Sequence, residues 1–73
     1  MPSQDDRLIV KLVQGLSAPD QTTRKNAVGA LRLHGPRAAG SIPAISELLA
    51  HESDPQVQAE AQRALAHLRQ YVA

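Results

Sequence analysis

The chain repeats itself after 34 residues. When residues 20–34 are laid on 54–68, Asp20 falls on Asp54, Ala27 on Ala61, Ala30 on Ala64 and Leu31 on Leu65. Upstream the offset is 33: Ile9 falls on Ile42, Leu12 on Ile45 and Leu16 on Leu49. A fixed period between about 20 and 50 residues, with two helical patterns in each unit, marks a solenoid. Solenoids work through surfaces, so the period points to binding rather than to chemistry.

Such a short chain forms one small domain, marginal unless it is very regular or assembled with copies. Tyr71 is its single aromatic, so the core must be Leu, Ile, Val and Ala, with backbones close together where Ala dominates. Alternating β-branched runs are absent, which argues against a sheet. Eight Lys and Arg against seven Asp and Glu is not the balance of a general nucleic-acid binder. Zero cysteines exclude disulfides, thiol catalysis and Cys-based metal sites. No apolar run approaches the roughly 20 residues that span a bilayer, and the N-terminus is acidic before it is apolar, the reverse of a signal peptide. The expectation is a soluble, cytoplasmic protein with a native Met1 start and no membrane contact.

The apolar spacing predicts four helices. The first runs from about Ser3, its cap, to Leu16, with Asp5 and Asp6 in the first turn and a stripe of Leu8, Ile9, Leu12, Val13 and Leu16. It ends at Ser17-Ala18-Pro19. The second runs from Asp20 to His34 with an inner stripe of Thr23, Ala27, Ala30, Leu31 and His34. Gly35 stops it and Pro36 opens the next. The third runs from Pro36 to Ala50, and Pro43 predicts either a kink or a start delayed to Ser41. The fourth runs from Asp54, with Pro55 at its first position, to Tyr71 through Val57, Ala61, Ala64, Leu65 and Leu68. Loops of two to four residues make consecutive helices antiparallel neighbours.

The run Gly35-Pro36…Ala39…Ile42-Pro43-Ala44-Ile45…Leu48-Leu49…Asp54-Pro55-x-Val57…Ala61…Ala64-Leu65…Leu68 resembles one HEAT repeat, closest to the short bacterial, phycobilisome-lyase-type kind. Leu8–His34 is a weaker copy, without the Pro in its first helix and with Gln21 and Thr23 where Pro and Val are usual. The resemblance implies an all-α fold: two antiparallel helical hairpins, about 4–35 and 36–72, stacked as a short right-handed α-solenoid in one domain, 1–73. It also implies a convex side built from each unit's first helix and a concave side built from its second. In the family an Asp at the turn and an Arg four residues later form a ladder between units. Asp20 and Arg24 match that pair; Asp54 matches in the second unit, where Gln58 replaces the Arg.

Other constellations have plainer readings. Asp20 with Arg24 is a cap and turn brace rather than a catalytic pair. His34, His51 and His67 share no ligand spacing, and a zinc site needs three or four converging donors. No Ser has a paired base, and four small helices offer no cleft, so no enzyme, cofactor or metal is expected. The basic stretch is the serious candidate. Between Asp20 and Glu47 stand Arg24, Lys25, Arg32 and Arg37 with no acid. Lys25, Gly29 and Arg32 lie opposite the second helix's core stripe, and Gln62, Arg63 and Ala66 occupy the matching side of the fourth. The expected function is a non-catalytic protein-interaction scaffold whose Lys25 and Arg32 steer an acidic protein partner, with Gly29 and Ala66 allowing close approach. The runner-up is a self-associating assembly protein, a homodimer closing the open repeat flank. Weak nucleic-acid binding through the basic second-helix face stands third.

Overall fold

The structure, a computed structural model, describes residues 4–72. In chain order it forms α1 (Gln4–Gly15), α2 (Gln21–His34), a 3-10 segment (Gly35–Ser41), α3 (Ile42–His51), α4 (Pro55–Leu68) and a closing 3-10 turn (Arg69–Tyr71). There is no strand among the described residues. Ser3, expected as the first cap, and the Asp5 side chain lie outside the described part.

The helix starts follow local chemistry. Asp20 Oδ2 accepts hydrogen bonds from the Thr23 amide and the Thr23 hydroxyl, both at 2.8 Å. One carboxylate thereby satisfies a donor that the first turn of α2 leaves orphaned. Asp54 does the same for α4, accepting from the amides of Gln56 at 2.9 Å and Val57 at 3.0 Å, with Pro55 opening the helix. Thr23 therefore does not belong to the inner stripe as expected: it is exposed, its hydroxyl committed to the cap.

Pro43 is accommodated by delay rather than by a kink. The chain after Gly35 winds as a 3-10 segment, and α3 begins at Ile42, so Pro43 sits in a first turn where its missing N–H costs nothing. The buried Ser41 hydroxyl donates to the Ala38 carbonyl at 2.6 Å. Gly35 adopts φ 64°, the left-handed region that suits glycine at a helix end. A Cβ there would meet Tyr71 Oη at 3.4 Å, ordinary contact, so it is the backbone conformation and not the space that asks for glycine. At the other end α4 stops at Leu68, short of the expected Tyr71, and Tyr71 packs edge-on against His67 with ring centroids 5.6 Å apart.

The core gathers Ala27, Val28 and Leu31 of α2, Ile45 of α3, and Ala61, Ala64, Leu65 and Leu68 of α4. Ala at 27, 61 and 64 lets the helices approach closely, and the molecule is a slab of 36 × 26 × 17 Å. The most extensive packing is between α2 and α4, with α1 on α2 and α3 on α4 next. Val28, which the predicted stripe passed over, is fully buried. A helix with neighbours on two sides buries a wider arc than a single stripe. No described helix is long and apolar enough to cross a membrane.

Candidate interaction surface

A seam between the units organises the surface. Arg24 of α2 donates through Nε to Glu52 Oε1 at 2.8 Å and through Nη2 to Oε2 at 3.1 Å. Its Nη1 donates to the carbonyls of Ala18 and Pro19, each at 2.9 Å. Glu52 Oε2 also accepts from the Asp54 amide at 3.1 Å. Such two-pronged, charge-assisted pairs are the strong kind. The Arg24 hydrogen bond, then the Asp54 amide, holds the Glu52 carboxyl below the usual carboxylate range, and the Glu52 contact in turn raises the Arg24 guanidinium. The Thr23 hydroxyl and amide likewise lower Asp20.

A second bridge repeats the first two turns along. Arg32 Nε donates to Glu60 Oε1 at 3.2 Å, and both bridges span 28 residues of sequence. Arg63 donates to the other oxygen of Glu60 at 3.4 Å. The expected Asp20–Arg24 ladder is thus redrawn. The Asp20 carboxylate stays with its own helix and meets Arg24 only through the backbone, where the Arg24 amide donates to the Asp20 carbonyl at 3.1 Å, while the Arg24 side chain reaches instead for the Glu52 carboxylate. Gln58, in the place of an Arg, donates to the Glu52 carbonyl at 2.6 Å, six residues back, as Arg24 donates to Ala18 six residues back. The substitution keeps the brace within the unit and drops the reach to a following one.

Lys25, Gly29 and Arg32 come together around one shallow hollow of about 340 Å³, which Asn26, Leu33 and Glu60 also border. Gly29 forms its floor, and a Cβ there would lie 3.4 Å from Glu60 Oε1, ordinary contact. Gln62, Arg63 and Ala66 are exposed along α4 outside that hollow. The basic stretch is less basic in space than in sequence, since Arg24 and Arg32 are each matched by a glutamate one unit on. Lys25 keeps an ammonium with no ion pair to a described residue.

A larger hollow of about 520 Å³ lies between α1 and α3, over Val13, Leu16, Ala44 and Leu48, with His51 and Glu52 at its rim. His51 sits at the end of α3, with Nδ1 3.6 Å from Glu47 Oε1 and 3.1 Å from the Glu47 carbonyl. His67 contacts Gln70 and Tyr71, and His34 is half-buried at the end of α2. No group of three potential metal ligands converges among the described residues. Glu52 and Glu60, the partners of both bridges, are what sequence reasoning missed. The signal was a shared spacing: each acid stands 28 residues beyond its arginine on α2.

These features (a two-helix unit that repeats, carboxylate caps at the start of each second helix, and Arg bridges between units) define a helical-repeat protein. A family model for HEAT repeats matches residues 9–73, and the chain belongs to that family. No curated protein and no solved structure matches the chain.

Proposed function

We propose that the protein is a non-catalytic interaction module, with α1–α2 and α3–α4 as two antiparallel hairpins (about 4–35 and 36–72 of a single domain) stacked into a short HEAT-like solenoid. α1 packs directly on α2, with Gly15 beside Ala27, which supports the hairpin. The outer face of α2 and α4 receives an acidic protein segment. Lys25 and Arg63 supply the attraction, Gly29 and Ala66 the close approach, and Gln62 neutral hydrogen bonding. Arg32 contributes by holding Glu60 rather than as an open cation. The observation that carries this reading is the hollow at Gly29, bordered by Lys25 and Arg32, on a helix that buries Ala27, Val28 and Leu31 on its opposite side. A preformed surface of this kind loses little freedom on binding.

The test is titration with an unstructured glutamate-rich peptide. Lys25→Glu combined with Arg63→Glu should abolish binding while helicity is unchanged; equal binding by that variant would overturn the outer face as the site. Duplex DNA in the same titration addresses the nucleic-acid reading, for which log affinity falls with log salt at about 0.9 per phosphate contacted. Self-association into a homodimer is the second reading, favoured by Leu33, 77% exposed. It predicts a mass twice that of one chain whether or not peptide is present.

A further inference from the structure

The two ends of the stack are built differently. On α4 the side that α2 covers carries Glu60, gripped by Arg32, and the fully buried Ala64. One period earlier Asn26, Ala30 and Leu33 stand on the matching side of α2, where Asn26 and Leu33 are exposed and Ala30 is only half-buried. Ala30, Leu33 and His34 bound a hollow there of about 220 Å³. At the far end the pattern is reversed. Arg24, Val28 and Arg32, which face the second unit, have Gln58, Gln62 and Ala66 as their repeat mates, and Gln62 is exposed. The far end is finished for water, as a terminal repeat requires, and the near end is not.

The rim of the near end is cationic. On α1 the ridge Leu8–Lys11–Gly15 ends against Ala27 of α2, while the opposite ridge of Val10, Val13 and Gln14 borders a hollow with Gly40 and Ser41. Leu8, 42% exposed, and Lys11 therefore lie on the side of α1 turned away from that hollow, the side that an antiparallel hairpin sets toward the uncovered end. Lys25 stands on its other edge. Neither lysine is ion-paired with a described residue. Glu60 lies across Gly29, held by Arg32 and Arg63.

These placements select the occupant. A further repeat unit carrying bridging arginines would find Ala18 and Asn26 where Glu52 and Glu60 accept such bridges. A second copy meeting this end face to face would oppose lysines to lysines. What fits is a helix with a narrow apolar stripe and carboxylates along both edges, since side chains on one helix face recur every three or four residues. We infer that the strip of Leu8, Ala30, Leu33 and His34, edged by Lys11 and Lys25, docks an acidic amphipathic helix of another protein, in the groove where a preceding repeat's helix would otherwise lie. The inference rests on the hairpin arrangement proposed above and adds an adjoining surface that shares Lys25, Ala30 and Leu33 with the outer-face hollow.

The experiment uses the full chain and two designed helical peptides with one Leu/Ala stripe, edged by Glu in one and Lys in the other. The Glu-edged peptide should bind and the Lys-edged peptide should not. Leu33→Ser, at an exposed position that leaves folding intact, should weaken binding at least about tenfold, as loss of a central apolar anchor does. Lys11→Glu should weaken it too, and added salt should reduce the difference between the peptides. Arg63→Glu, on α4 outside both hollows, should weaken the unstructured glutamate-rich peptide, which reads the outer face, and leave the Glu-edged helical peptide within about twofold of the parent. Equal binding of both designed peptides, no binding of either, or indifference to Leu33→Ser with helicity preserved would each overturn the strip as an acidic-helix site. So would self-association that Leu33→Ser disperses, which would assign the strip to a second copy.

Discussion

Glu52 serves three partners at once. It accepts both prongs of Arg24, caps the turn through the Asp54 amide, and offers its own carbonyl to Gln58. Its side chain is 3% exposed, so removing one member of the pair strands the other without water. Arg24→Ala should therefore lower the urea midpoint more than Arg63→Ala, whose guanidinium is mostly exposed and makes one long contact. The pH dependence has a definite sign. A carboxyl held below its ordinary value in the folded state contributes stability that is present above its unfolded value of about 4.3 and is lost as pH falls through the folded one. Glu52 and Asp20 both act this way. The midpoint should fall as pH drops below about 4.3, and Glu52→Gln should flatten that fall; a midpoint independent of pH across this window would contradict the seam. At Gly29 an added methyl meets only ordinary contact, so Gly29→Ala should be neutral or stabilise by up to about 1 kcal/mol through reduced chain freedom in the unfolded state, as read by thermal melting.

The helices were legible where a local signal decides them and obscure where a neighbour does. Asp20, Gly35, Asp54 and Pro55 mark boundaries by backbone chemistry that any chain must obey, and each stands within a residue of the end it predicts. Pro43 left two outcomes open, because a proline's cost depends on whether it falls in a first turn, and that depends on where packing lets the helix begin. Val28 was illegible in periodicity because its burial comes from α4, 27 and more residues further along the chain. The same cause hid the bridges: charge read along the chain between Asp20 and Glu47 is positive, whereas folding places Glu52 and Glu60 beside it. At this scale Leu31→Ala should cost about 2–5 kcal/mol, and Leu65→Ala a similar amount, since both are core residues of α2 and α4. Leu33→Ala, two positions from Leu31, should stay within about 0.5 kcal/mol. Asp54→Ala should cost about 1 kcal/mol through the lost cap. Equal losses at 31 and 33 would mean that α2 is rotated from the orientation described.

At the scale of the whole molecule, two repeat units stand where solenoids usually need about three. Several features compensate: alanine-lined close packing between α2 and α4, two arginine bridges across the seam, and a polar far end in Gln58 and Gln62. On the function proposed above, these features would let the stack hold itself without a covering copy, with the outer face and the near end open to partners. Sedimentation equilibrium over a wide concentration range, with helicity recorded on the same samples, tests this most directly. The expected result is a folded species of one chain's mass, 7.8 kDa, whose helicity does not change on dilution. Helicity that vanishes as a dimer dissociates would contradict it, showing that the open end is closed by a second copy and is not free to receive another protein.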